Sequence, residues 1–253
     1  MSKSFQNKVV LVTGAARGIG FAIAERFARE GASLVVSDVD ADSLAAARAR
    51  LSQICEVEPV AVPGDLSRQE DSARLIEVAS AASGTIHVLV NNAGGGIIRP
   101  FLSHTPETLK ATVERNLWTT LWACWHVLPV MQRQGYGRIV NLGADSVRNG
   151  LWDHAVYNAA KGGVHALTTG LAREFATSGI TINTVSPCAV NTEQLQVFVQ
   201  KAPELAAKFL SVIPMGRAAE AEEVASMVSY LASEEASFVT GQVISVNGGS
   251  TML

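Results

Sequence analysis

The chain has 253 residues, 48% hydrophobic and 17% charged, enough for one large domain with a substantial buried core. Its formal charge of −3 and pI near 6.0 come from interspersed acids and bases, which disfavours nucleic acid and anionic membrane as partners. Three widely spaced cysteines, Cys55, Cys124 and Cys188, form no CxxC or Cys/His cluster, so no metal site or disulfide framework is expected and a reducing cytoplasm fits.

The polar lead MSKSFQNK runs into an apolar stretch too brief for a signal peptide. Short β-branched runs then alternate with longer segments at helical spacing. KVVLV precedes a helix over 18–30, SLVVS one over 41–54, PVAV one over 68–82 and HVLVN one over 106–134. RIVNL precedes a helix over 153–178, ITINTVS one over 218–232, and QVISV closes the series. LWTTLWACWHVLPVM, inside the fourth helix, is interrupted by His126 and Pro129 and is too short to span a bilayer.

Seven strands separated by helices predict an α/β fold with a doubly wound parallel sheet, whose ligands sit beyond the carboxyl ends of the strands. No repeat or linker marks a second domain, so residues 1–253 read as one unit. The least regular stretch, 188–217, is punctuated by prolines and reads as a substrate-binding loop.

After the first strand comes TGAARGIG, with Gly14, Arg17, Gly18, Ile19 and Gly20 opening a helix. Such a turn lets backbone N–H groups approach a pyrophosphate, and the helix dipole favours the anion. By itself the turn is also compatible with a plain tight strand-to-helix connection. The second strand ends in Asp38, where a carboxylate can accept hydrogen bonds from ribose hydroxyls and repel a 2′-phosphate. NAD is therefore expected over NADP, with Arg17 the opposing clue.

TGAARGIG, Asp65-Leu66, Asn91-Asn92-Ala93-Gly94, Asn116 in ERNLW and Tyr157-Asn158-Ala159-Ala160-Lys161 together resemble the ordered motifs of the short-chain dehydrogenase/reductase family. The resemblance implies a Rossmann-type NAD(P)(H) oxidoreductase, commonly a homotetramer. Asp65, Leu66, Asn92, Ala93, Gly94, Pro187, Val190 and Thr192 would then join the glycine turn in holding the cofactor. Tyr157 would exchange a proton with the substrate oxygen, Lys161 would also hold the nicotinamide ribose, and Asn116 would bind a relay water. The residue types agree: Tyr157 and Lys161 are an i, i+4 pair on one helix face, so an ammonium beside the phenol is expected to favour its phenolate.

Two positions depart from the family pattern. Where a serine normally binds the reacting oxygen stands Ala144. Three readings are open: Ser146 substitutes for it, a backbone N–H near Gly143 or Ala144 carries the oxygen with Tyr157, or the chain is a cofactor-binding relative with weak turnover. In an extended chain Ser146 would face with Ala144 but lie roughly 7 Å further along, so the first reading needs a bend. Pro187 is followed by Cys188 in place of glycine, a packed small residue more than a reactive thiol.

Pocket candidates are Gly96 and Ile98 after the fourth strand, Arg148, Trp152 and His154 before Tyr157, and Phe198 in the 188–217 loop. Arg99, Arg148 and His154 are possible partners for a carboxylate. Trp118, Trp122 and Trp125 stripe one helix face and point to core packing or a subunit interface. The segment around Tyr157 is similar to the family branch acting on cis-dihydrodiol carboxylates and cyclic hydroxy acids in aromatic degradation. The expected activity is oxidation of such a diol to a catechol with NAD. A ketone or 3-oxoacyl thioester reductase, and a non-catalytic NAD-binding sensor or scaffold, are the alternatives.

Overall fold

The computed structural model describes residues 3–252. In chain order the elements are β1 (Val9–Thr13), α1 (Gly18–Arg29), β2 (Ser33–Asp38), α2 (Ala41–Leu51), β3 (Val60–Pro63), α3 (Gln69–Ser83) and β4 (Val88–Asn91). Then follow α4 (Pro106–Val113), α5 (Thr119–Gln134), β5 (Gly137–Leu142), α6 (Ser146–Asn149), α7 (Ala155–Phe175) and β6 (Ile180–Pro187). The chain closes with α8 (Glu193–Lys201), α9 (Pro203–Leu210), α10 (Ala221–Ala232) and β7 (Val243–Val246).

The seven strands pair in the order β3-β2-β1-β4-β5-β6-β7, all parallel. Alternation along each strand feeds two cores. Val10 and Val12 join Leu34, Val36, Ile23, Phe27, Leu44 and Leu231 on one face. Val9 and Leu11 join Val35, Leu89, Leu75, Val127, Met131 and Ile139 on the other. Each fully buried side chain of this size contributes about 1.5–3 kcal/mol, which makes the sheet a rigid platform. Strand order reverses between β1 and β4, so a crevice opens where the chain leaves their carboxyl ends, at Gly14 and Asn92.

Two expectations change. The helix expected over 106–134 is broken by a π-helical turn, Glu114–Trp118. There the Asn116 Nδ2 takes the Thr112 carbonyl at 2.8 Å, and the Thr119 N–H steps back to Glu114, five residues earlier. π-turns of this kind are frequent at functional sites. The 188–217 stretch, read as a substrate-binding loop, carries two helices: Thr192 caps α8 through the Leu195 N–H, and Pro203 restarts the chain at the first turn of α9. Among the described residues, no helix is long and apolar enough to cross a membrane, and no group of His, Cys, Asp and Glu is placed to hold a metal.

Candidate active site

The glycine turn after β1 is packed too closely for side chains. A Cβ at Gly20 would lie 2.0 Å from the Gly14 carbonyl oxygen and 2.4 Å from Asn92 Nδ2, and Gly14 and Gly18 have φ of 63° and 55°. Asn92 bolts the turn to β4, its Nδ2 donating to the carbonyls of Thr13 at 3.0 Å and Gly14 at 2.8 Å. Thr13 Oγ1 in turn accepts the N–H groups of Asn92 and Ala93, each at 3.0 Å. The first turn of α1 has neither an acidic residue nor a side-chain cap, unlike α2, α4 and α8, which Asp40, Thr105 and Thr192 cap. Its positive end is left for an exogenous anion, so a dinucleotide pyrophosphate fits this cradle.

Asp38 stands beside the turn, accepting the Ala16 N–H at 3.1 Å and the Asp40 N–H at 3.2 Å. Its carbonyl accepts the Gly64 N–H, which brings the 64–67 segment alongside. There Leu66 is buried, and Asp65 is exposed with its carboxylate held by Ser67. Arg17 is exposed at the N-terminal end of α1, Ile19 packs against the core, and the Thr192 methyl lies 3.5 Å from where a Gly18 Cβ would be. Val190 bridges to Ala219, the Pro187 carbonyl accepts the Asp145 N–H, and burial raises the Cys188 thiol above its ordinary value. That thiol is a packed group rather than a nucleophile.

Tyr157, Lys161 and Asn116 converge on Gly94–Gly96. A Cβ at Gly94 would lie 2.9 Å from Asn116 Oδ1 and 3.5 Å from Lys161 Nζ, and one at Gly96 would lie 3.2 Å from the Tyr157 ring. Asn116, fully buried, accepts the Gly95 N–H at 3.1 Å and donates to the Gly95 carbonyl at 3.0 Å. It thereby fixes the loop that forms the floor of the site. Lys161 Nζ donates to the Leu142 carbonyl at 2.7 Å.

Burial acts on Tyr157 and Lys161 in the direction opposite to the expected acidification of the phenol. It pushes the Tyr157 phenol up to about 12 and pulls the Lys161 amine down to about 8. Desolvation disfavours the charged form of both groups. The phenol is therefore a neutral donor, and the amine is mostly cationic at neutral pH.

Ser146 is not extended from Ala144. The backbone turns helical at Asp145, and the Ser146 hydroxyl donates to Asn158 Oδ1 at 2.6 Å, so its proton is committed away from the Tyr157 phenol. Arg148 is likewise engaged: its guanidinium donates to Ser245 Oγ and the Val243 carbonyl of β7, each at 2.9 Å. Trp152 is 58% exposed on the rim, with the Lys208 ammonium 4.1 Å from its ring centroid. His154 does face the site, its ring centroid 6.0 Å from that of Tyr157. It stacks on Phe209 of α9, and Phe209 meets Phe198 of α8 edge-on. Ile98 is part-exposed and closes over Gly96.

Sequence reasoning missed Asp145. Its fully buried carboxylate accepts from Ser245 at 2.9 Å, from Thr251 at 2.9 Å and from Ser250, stapling the chain after Ala144 to the C-terminal segment. The signal was an acid three residues beyond a strand, which a solvated turn acid shares. Behind the same loop, His165 Nε2 pairs with Ser186 Oγ at 2.9 Å in the space a Gly143 side chain would need.

The model of a family described as enoyl-(acyl carrier protein) reductase matches residues 14–251. A 2,3-dihydroxy-2,3-dihydro-p-cumate dehydrogenase of Pseudomonas putida is 59% identical over 98% of this chain and 96% of its own. A 1,6-dihydroxycyclohexa-2,4-diene-1-carboxylate dehydrogenase of Acinetobacter baylyi is 36% identical over 98% of each. Among solved structures, a short-chain type dehydrogenase/reductase from Mycobacterium ulcerans superposes with a TM-score of 0.93 at 31% identity, over 98% of this chain and 90% of its own. The glycine turn, the Asn92 bolt and the Tyr157–Lys161 helix thus belong to a scaffold shared along almost the whole chain, and the protein is a member of the short-chain dehydrogenase/reductase family of oxidoreductases.

Proposed function

We propose that this protein oxidises one carbinol of a cis-dihydrodiol carboxylate, using NAD, to give a catechol. The carrying observation is the 59% identity, over nearly the full length of both chains, to a dehydrogenase of that substrate class. The arrangement of Tyr157, Lys161 and Asn116 around Gly94–Gly96 supports turnover over a sensor or scaffold role. A nicotinamide cofactor, when bound, accepts the hydride from the carbinol carbon. Tyr157 is the group for the hydroxyl proton. In the oxidative direction it needs a cation beside it to lower the phenol, and Lys161 supplies one. The resulting hydroxy-ketone tautomerises to the aromatic catechol, which draws the reaction forward and lessens dependence on a hydroxyl at Ala144.

The Asp38 carboxylate, oriented by two backbone N–H groups next to the glycine turn, favours NAD because it accepts from ribose hydroxyls and repels a phosphate. Trp118 and Trp125 are 40% and 68% exposed, and a groove of about 510 Å³ runs between α4 and α7, lined by Phe101, Val113, Trp118 and Val156. These apolar faces support a homotetramer. Unpaired Cys55, Cys124 and Cys188 are in keeping with a cytoplasmic location.

The test is formation of reduced cofactor from NAD⁺ or NADP⁺ with cis-dihydrodiols, cyclic hydroxy acids and simple secondary alcohols. Turnover of a dihydrodiol carboxylate with NAD⁺, lost in Tyr157→Phe by roughly 10²–10⁴-fold, is expected. Preference for simple ketones with NADPH would overturn the proposal.

A further inference from the structure

We infer that His154 is the specificity-determining residue for the second hydroxyl of a vicinal cyclic diol, its Nε2 accepting that hydroxyl's proton in a hydrogen bond. The inference rests on the proposed diol activity and deepens it.

The tautomer follows from the partner. His154 Nδ1 lies 2.5 Å from the Trp152 carbonyl oxygen, and a carbonyl can only accept, so Nδ1 carries the proton. In the neutral ring Nε2 then presents a lone pair. Such an edge accepts an O–H. Among the described residues Nε2 has no hydrogen-bond partner, and it is not among the enclosed polar atoms.

Position is set from two sides. His154 directly precedes α7, three residues before Tyr157, so the two side chains share one face of the helix start, with ring centroids 6.0 Å apart. On its other side the imidazole stacks on Phe209, with centroids 6.2 Å apart and planes within 4°. The imidazole is thus held between the Tyr157 ring and Phe209 of α9.

Several polar groups of the 143–148 segment are already engaged. The Ser146 hydroxyl donates to Asn158, the Arg148 guanidinium to β7, the Gly143 N–H to Val185 and the Asp145 N–H to Pro187. A cis-diol projects both hydroxyls to one side of its ring. With one at Tyr157, the adjacent one falls toward His154.

The experiment compares kcat/KM for benzene cis-dihydrodiol and for cyclohexenol in the full-length protein and in His154→Phe and His154→Gln. Phenylalanine keeps the ring contacts with Phe209 and Tyr157 and removes both nitrogens. Each preparation is measured with both substrates, so any loss of folded protein cancels in the ratio. The diol-over-alcohol ratio is expected to fall about tenfold or more in His154→Phe and less in His154→Gln, which retains an acceptor. An unchanged ratio in His154→Phe would overturn the inference while leaving the diol activity standing. Oxidation of cyclohexenol without any oxidation of the diol by the unsubstituted protein would overturn both.

Discussion

Lys161 Nζ is buried against the Leu142 carbonyl one helical turn beyond Tyr157, in surroundings that disfavour its own charge. The amine's value falls from 10.5 to about 8 on folding, so the unfolded chain binds its proton more tightly. Stability is therefore penalised below pH 8, and the penalty is relieved as pH rises from about 8 to 10.5. Lys161→Met is expected to stabilise the protein at pH 7 by roughly 1–2 kcal/mol, net of the orphaned Leu142 carbonyl, while abolishing turnover. Urea melts at pH 7 and pH 10 test the sign: the advantage of the variant must shrink at the higher pH.

Ser146→Ala is expected to lower kcat by less than about threefold, because the hydroxyl donates its proton to Asn158. The stability cost is about 1 kcal/mol for the unpaired Asn158 carbonyl oxygen. A loss of kcat beyond tenfold, by steady-state kinetics, would return Ser146 to the catalytic set.

On the proposed NAD preference, replacing Asp38 by serine removes the carboxylate that would repel a 2′-phosphate. The ratio of kcat/KM for NAD⁺ over NADP⁺ is expected to fall by about tenfold or more. Isothermal titration with each cofactor separates this from an effect on chemistry, and equal losses for both cofactors would contradict it.

Asp145→Ala leaves Ser245, Ser250 and Thr251 without their shared acceptor in a buried site. A loss of about 2–4 kcal/mol in chemical denaturation is expected. Ser250→Ala alone should cost about 1 kcal/mol. If Asp145→Ala melts like the parent protein, the staple contributes nothing.

The seven strands and most helices were legible in the sequence because a parallel sheet covered on both faces demands unbroken β-branched runs such as VVLV and helices with a single apolar stripe. The helix through Asn116 was legible, but its π-turn was not, because the turn arises when the Asn116 side chain bridges Thr112 to Gly95 across a gap of 21 residues. Tyr157, Lys161 and the glycine turn could be named from spacing, since helix periodicity and the steric needs of a close backbone approach are local rules.

What Ser146, Arg148 and His154 do depended on partners distant in sequence or set by fold: Asn158, β7 and Phe209. A side chain's spare hydrogen-bonding capacity is known only once its neighbours are known. Sequence by itself thus determined the scaffold, the glycine turn and the placing of Tyr157 and Lys161 on one helix. Tertiary structure alone decided that Ser146 and Arg148 are engaged elsewhere and that His154 Nε2 has no hydrogen-bond partner among the described residues, because burial and hydrogen-bond satisfaction are properties of the assembled site.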